Sequence, residues 1–403
     1  MHCVRSITPE VLLLGGSDRR LALFENVFPI PRGVSYNAYL VRDEKNVLLD
    51  TVDSAMSSRF FENLEAGLQG RALDYIIVNH MEPDHCATLG EVLRRYPQAQ
   101  VVASAKAVAM IGQFFDTDVS DRCLTVKEGD SLSTGRRTFS FVMAPMVHWP
   151  EVMVTYESAE KILFSADAFG TFGALSGSIF ADEVSFETEW LADARRYYAN
   201  IVGKYGAQVQ TLLKKAAGLD IQTICPLHGP IWREPAGIGW FLEKYQRWSS
   251  YTPEDRTAAV FCGSIYGNTE NAAEILAARL ADRGVKNVKL YDVSHTDVSD
   301  LVAEAFRCSH LVFAASTYNG EIYTPMDNFL RDLKSHGLRG RTAALIENGT
   351  WAPVSAKRMA ELLGSMKDIT VLEGTVSLKS SAKESQRQAL EALADALAAD
   401  ILG

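Results

Sequence analysis

No two of the six cysteines sit at metal-site or disulfide spacing: Cys3, Cys86, Cys123, Cys225, Cys262 and Cys308 are scattered, without a C-x-x-C. That excludes a disulfide framework, a zinc ribbon and a rubredoxin-type iron site, and it reads as free thiols in a reducing compartment. No apolar run approaches the ~20 residues that span a bilayer. The N-terminal stretch lacks the charged, apolar, small-residue order of a signal peptide. It reads instead as a first strand, and the cytoplasm is the expected location. Positive charge is also short: 40 Lys and Arg face 50 Asp and Glu, for a net charge of -10. This argues against nucleic acid or an anionic membrane as the main partner. There is no internal repeat and no low-complexity tail. What remains is an ordinary globular balance, 47% hydrophobic over 403 residues, enough for two or three domains.

The first 250 or so residues are rich in strands and turns. Ser35–Val41 and Val47–Val52 flank the polar turn Asp43–Asn46 and read as a hairpin. Val152–Tyr156 and Lys161–Ala166, around the turn Glu157–Glu160, read as a second. Leu73–Asn79 is a short β-branched strand. Thr88–Arg95, Phe186–Val202 and Val209–Ala217 have helical spacing. Together they suggest an α/β sandwich. Gln246–Arg256 is polar, carries a proline and reads as a linker, so residues 1–252 and 253–403 are expected to be separate domains. Beyond it, strands at Ala258–Cys262, Lys286–Asp292, Leu311–Ala315, Thr342–Glu347 and Ile369–Val371 are expected. Helices are expected at Glu270–Asp282, Met326–Ser335, Lys357–Leu363 and Glu384–Leu402. This alternation predicts a five-stranded, doubly wound parallel sheet.

The segment His80-Met81-Glu82-Pro83-Asp84-His85 puts four metal-competent side chains in six residues. In an extended chain alternate residues share a side, so His80, Glu82 and Asp84 converge, with His85 beside them. His148, Asp167 and His228 follow the apolar stretches Phe139–Met146, Ile162–Ser165 and Gln222–Pro226. A lone His or Asp at a strand end is more often a turn residue. The whole set is different, because crowding so many titratable groups costs desolvation and repulsion that a divalent cation removes.

The second region opens with strand, loop and helix: Ser264, Ile265, Tyr266, Gly267, Asn268 and Thr269 follow Ala258–Cys262. Helix N-terminal N–H groups and two hydroxyls suit a phosphate, and the pattern S-x-x-G-x-T resembles the flavodoxin phosphate loop. With no Walker lysine and no G-x-G-x-x-G, ATP and NAD are poor fits. Ser316, Thr317, Tyr318, Asn319 and Gly320 follow one later strand. Asn348, Gly349, Thr350 and Trp351 follow the next. One Asn-Gly turn is only a turn, but three loops at adjacent strand ends form an FMN site, with Tyr318 and Trp351 free to stack on the ring.

The set H-x-E-x-D-H, then His, Asp and His, resembles the metallo-β-lactamase superfamily, which implies an N-terminal αββα sandwich with a two-metal site. Most hydrolytic members have His where this chain has Glu82, and a carboxylate there favours iron or manganese over zinc. The spacing is similar to that of the flavodiiron proteins, also called A-type flavoproteins, and the resemblance covers essentially the whole chain. It implies one iron on His80, Glu82 and His148, a second on Asp84, His228 and His85, and Asp167 as bridge. It further implies FMN, reduction of O2 to water or of NO to N2O, and a head-to-tail homodimer. No rubredoxin or flavin-reductase extension follows the second domain, so an external donor, rubredoxin or a reduced deazaflavin, is expected. Trp149 and Tyr198 are candidate linings of the iron pocket or flavin interface, against plain core packing. Two rivals remain: a dinuclear zinc hydrolase with an accessory flavin domain, separated by metal content, and an electron carrier with an inert metal domain, separated by His148→Ala.

Overall fold

A computed structural model describes residues 1–116 and 118–403. It divides into two units: Met1–Tyr198 with Ala207–Gln246, and Ala199–Gly206 with Arg247–Gly403.

The first unit is a sandwich of two sheets. Tyr39–Val41 and Val47–Leu49 form the first expected hairpin, with Tyr39 opposite Leu49. They extend into a sheet with Tyr75–Val78, Gln100–Ser104 and Cys123–Val126 on one side and Val11–Leu13 and Arg5–Ser6 on the other. The second sheet runs Ser131–Ser133, Thr138–Met143, Met153–Glu157, Ile162–Phe164, Thr223–Cys225, and contains the second expected hairpin, with Glu157 opposite Ile162. Alternate residues of both sheets share one dry core: Tyr39, Val41, Leu49 and Ile77 from one, Phe139, Phe141, Met153 and Phe164 from the other.

Several boundaries differ from expectation. Ser35–Val41 is not one strand. Val34–Tyr36 pairs with Gly16–Asp18 and Tyr39–Val41 with Val11–Leu13. Between them Asn37 turns its amide to the carbonyls of Pro226 and Gly229, at 2.9 and 3.0 Å. Phe186–Val202 is not one helix either: Phe186–Glu189 and Leu191–Tyr197 break at Trp190, which packs on Gly173, and a π-helical turn, Tyr198–Val202, follows. The strand expected over Phe139–Met146 stops at Met143. Helix Pro235–Ser249 and strand Asp255–Gly263 run into the linker-like stretch from both ends.

The second unit is the expected doubly wound sheet. Its strands run Lys289–Asp292, Asp255–Gly263, Cys308–Tyr318, Arg341–Asn348, all parallel. The fifth strand is split: Ile369–Val371 pairs with the start of Arg341–Asn348 and Val376–Leu378 with its end. Helix Val298–Arg307, absent from the sequence reading, makes the crossover to Cys308–Tyr318. The strand order reverses at Asp255–Gly263, which places a ligand crevice at its C-terminal end.

Arg341 is a buried structural clamp. Its guanidinium donates to the carbonyls of Phe306 and Tyr251 at 2.6 Å, Arg339 at 2.9 Å, and Ala305 and Gly340 at 3.1 Å. Burial pulls its pKa down to about 10, still charged at neutral pH. Arg341→Met is expected to cost this unit about 3 kcal/mol or more, since each buried carbonyl left without a donor costs ~1–3 kcal/mol. Urea unfolding followed by circular dichroism measures it.

Candidate metal centre and flavin crevice

Tyr75–Val78 delivers His80 at its C-terminal end. Glu82 then adopts extended backbone and starts the short helix Pro83–Cys86 that carries Asp84 and His85. His148 lies in the connection after Thr138–Met143, Asp167 just past Ile162–Phe164, and His228 just past Thr223–Cys225. These last three strands run in one direction, because Met153–Glu157 is antiparallel to both of its neighbours and Thr223–Cys225 is parallel to Ile162–Phe164. Their C-terminal ends therefore share one edge. All seven side chains converge there, and none of the seven residues is more than 9% exposed.

They form two groups: His80, Glu82, His148 and Asp167, then Asp84, His85 and His228. In the first, His148 Nε2 is 2.9 Å from Glu82 Oε2 and 3.1 Å from Asp167 Oδ2. His80 Nε2 is 3.2 and 3.4 Å from the same two oxygens. In the second, His85 Nε2 is 3.0 Å from His228 Nε2, 3.1 Å from Asp167 Oδ1 and 3.3 Å from Asp84 Oδ2. Asp167 thus turns Oδ2 to one group and Oδ1 to the other. His85 points inward with the rest.

The donor chemistry fits a pair of cations. His228 donates Nδ1–H to the Ser35 carbonyl at 2.7 Å, so its neutral form aims the Nε2 lone pair at His85 Nε2 and at Asp84 Oδ2, 3.2 Å away. Both Asp84 oxygens and Asp167 Oδ1 are buried without a hydrogen-bond partner among the described residues. Converging lone pairs and orphaned carboxylate oxygens repel unless a cation sits between them. The titration behaviour has the same origin. Burial would depress His148, yet its bonds to Asp167 and Glu82 push it up to about 9. Burial would raise Asp167, yet His85 and His80 hold it well below the carboxylate range.

An outer layer that the sequence reading did not single out orients these groups. His80 Nδ1 donates to Glu151 Oε1 at 2.7 Å, and the Met81 amide donates to the same oxygen at 2.9 Å. Asp50 accepts from the Asn79 amide and side chain, both at 2.7 Å. Such partners fix the imidazole tautomer and raise its basicity. Glu151→Ala is expected to weaken metal retention about 10–100-fold and Glu151→Gln less, as measured by metal release to a chelator. Gly229, at φ 79°, follows His228 because a Cβ there would lie 2.2 Å from Thr171 Cγ2.

Aromatic rings wall the centre. Trp149 lies 5.5 Å from His80 and 6.3 Å from His148, one of the two places considered for it. Tyr198 packs 5.1 Å from Tyr245. Its neighbour Tyr197 does reach the centre, 5.5 Å from His228, as does Tyr36 at 5.8 Å, and the buried Tyr197 hydroxyl has no hydrogen-bond partner among the described residues. Phe24 is 5.4 Å from His228 on another side. Glu25, next to it, is exposed at the residue level, yet desolvation of its carboxyl and the nearby Glu82 push it up to about 8.

In the second unit a cavity of about 510 Å³ opens at the strand-order reversal. It is lined by Ser264, Ile265, Tyr266, Asn268, Thr269, by Ser316, Thr317, Tyr318, Asn319, Gly320, and by Asn348, Gly349, Thr350 and Trp351. Gly267 does not line it. It stands at φ 85° as N-cap of the helix Asn268–Asp282, where its N–H donates to Ser264 Oγ at 3.0 Å. Thr269 and Ser316 share a hydroxyl hydrogen bond of 2.9 Å. Ala352, Val354 and Ser380 complete the wall, and Asn348 anchors Ser380 with reciprocal bonds of 2.8 and 3.0 Å. Trp351 is 88% and Tyr266 92% exposed, large rings left open beside a polar cradle at a helix N-terminus, the arrangement a flat phosphorylated ring system fits.

Residues 34–229 match the family model described as ODP family beta lactamase, and residues 260–384 match Flavodoxin. A relative from Klebsiella pneumoniae, an anaerobic nitric oxide reductase flavorubredoxin, is 32% identical over 88% of this chain and 73% of its own. An uncharacterized protein from Methanocaldococcus jannaschii is 34% identical over 74% of each chain. Among solved structures, rubredoxin oxygen:oxidoreductase from Desulfovibrio gigas has a TM-score of 0.92 at 27% identity, over 99% of both chains. The flavodiiron protein from Giardia intestinalis has a TM-score of 0.93 at 25% identity, over 100% of this chain and 98% of its own.

Proposed function

The chain belongs to the flavodiiron family of oxidoreductases, and on that premise we propose that it reduces O2, NO or both at its paired metal centre with electrons passed through FMN. The convergence of seven buried ligands into two groups that share Asp167 carries the reading. His80, Glu82 and His148 would hold one iron and Asp84, His85 and His228 the other, with Asp167 shared between the two groups. FMN takes the crevice formed by Ser264–Thr269, Ser316–Gly320 and Asn348–Trp351, with Gly267 shaping the phosphate loop. When bound, FMN supplies a two-electron store that releases electrons singly, and iron supplies a metal that changes oxidation state, as zinc does not.

The chain's own groups do the rest. Glu151 and the Ser35 carbonyl keep His80 and His228 as Nε2 donors. Phe24, Trp149 and Tyr197 exclude bulk water and leave an apolar wall against which a diatomic gas can rest. Glu82, in a position where a third histidine would favour zinc, biases the first group towards iron. Residues 1–252 carry the metal chemistry and residues 253–403 the flavin.

Rubredoxin or a reduced deazaflavin is the expected donor type, and the names of the Klebsiella and Desulfovibrio relatives favour the former. A head-to-tail homodimer would cover the exposed rings of Tyr266, Tyr318 and Trp351. Among the described residues no helix is long and apolar enough to cross a membrane, and we place the protein in the cytoplasm. Photoreduced protein mixed with O2 and with NO in a stopped-flow cell tests the reading. Rapid flavin reoxidation by at least one gas is expected. Two bound zinc ions with hydrolase turnover, or no reaction with either gas in iron-loaded protein, would overturn it.

A further inference from the structure

A second cavity of the first unit, about 350 Å³, is lined by Arg5, Arg19 and Arg59 and by no acidic residue. Many arginines elsewhere in this acidic chain pair with carboxylates, as Arg32 does with Asp193, Arg42 with Glu10 and Arg233 with Asp182, though others, such as Arg122 and Arg341, bond only carbonyls. The three arginines of the cavity pair with no carboxylate among the described residues. Arg5 donates only to the Gly177 carbonyl. Arg19 donates to the Leu175 carbonyl and to Ser176 Oγ. Each guanidinium has five N–H donors, so most remain unspent, and Arg59, exposed on the helix Ser57–Leu68, spends none in this way.

The floor adds neutral donors. Ser17 and Ser35 are cross-strand partners. Ser17 Oγ accepts from the Leu175 amide at 3.0 Å and Ser35 Oγ from the Gly229 amide at 2.7 Å, which leaves both O–H groups to donate. Leu13, Leu175 and Ile179 supply an apolar side. Uncompensated guanidiniums, free hydroxyl donors and a short apolar wall, in a volume at the small end of the ~300–1,000 Å³ of ligand pockets, match one ligand chemistry. Arginine's planar fork binds carboxylate and phosphate in bidentate fashion.

We propose that this cavity binds a small organic anion, a carboxylate or phosphate monoester with a short apolar body, apart from the metal centre and the flavin crevice. The site depends on neither redox group. Ser35 also links it to the centre, since its carbonyl holds His228 Nδ1.

Calorimetric titration of the intact protein at fixed ionic strength tests the proposal, with glutarate, butyl phosphate and, as the uncharged control, butyramide. Saturable binding of at least one anion and none of butyramide is expected. Tighter glutarate assigns a carboxylate, and tighter butyl phosphate a phosphate ester. Arg59→Gln is expected to weaken binding at least tenfold, and Arg71→Gln, an exposed arginine outside the cavity, to leave it unchanged. Because Cys3 lines the cavity and is exposed, the saturating anion is also expected to slow its alkylation by iodoacetamide, read by peptide mapping. No saturable binding of either anion, equal losses in the two arginine variants, or Cys3 alkylation indifferent to the anion would each overturn the proposal.

Discussion

His148→Ala is expected to reduce gas consumption by more than about 100-fold while FMN stays bound. The estimate starts from the ~10–100-fold that loss of an outer partner costs a metal site; His148 stands one layer further in. Its Nε2 is the nearest imidazole nitrogen to both Glu82 and Asp167 in the first group. Without it two buried carboxylates face each other with only His80 between them, and a cation held there loses a neutral donor. Metal content is expected to fall by up to one ion per chain. The flavin crevice is built entirely from residues of the other unit, so FMN absorbance is expected to be unchanged. Gas-electrode rates, metal analysis and the flavin spectrum on one sample check all three. Undiminished consumption of O2 and NO would move the chemistry away from the metal centre and favour a plain electron carrier.

The second large effect is the reverse dissection. Gly267→Val is expected to weaken FMN binding by roughly 10–100-fold while iron is retained. Gly267 stands at φ 85°, a conformation that costs an ordinary L-residue ~1–2 kcal/mol and a β-branched one more. A valine would pull the loop towards negative φ, break the bond from the residue 267 amide to Ser264 Oγ, and turn the first N–H groups of the helix Asn268–Asp282 away from the phosphate. With tenfold per 1.4 kcal/mol, strain plus one lost hydrogen bond reaches that range. Fluorescence of released flavin under dilution gives the affinity. Full FMN occupancy at nanomolar protein would show that the loop's left-handed turn is not what holds the phosphate.

Of these two substitutions, Gly267→Val falls on a feature plainly legible in the sequence and His148→Ala on a fainter one. Metal ligands packed within six residues, and an S-x-x-G-x-T loop between strand and helix, are local patterns, because adjacent donors need only a turn to converge. His148, Asp167 and His228 were legible as strand ends followed by turns, a weaker signal that gained force by number. Helix Val298–Arg307 went unread although Leu301, Val302, Ala305 and Phe306 follow helical spacing, since short valine- and alanine-rich stripes look alike in strand and helix. Tyr197 and Tyr198 could not be ranked from sequence. A helix turns by about 100° per residue, so neighbours face different surroundings, and the unforeseen break at Trp190 resets which one faces His228.

From the residues alone came the two-part architecture, the identity of the donors and the loops that carry them, because these follow from periodicity and from short-range chemistry. How the donors divide was implied beforehand only by the family resemblance, and tertiary structure is what fixes it: Asp167 turns one oxygen to each group and His85 points inward, while Glu151 and the Ser35 carbonyl, which the residues alone did not single out, set the tautomers of imidazoles some 70 and 190 residues distant. Those choices depend on which strand ends share an edge. Sheet pairing over such separations is settled by burial of a common core, and the local pattern shows which residues are buried but not which distant strand they lie beside.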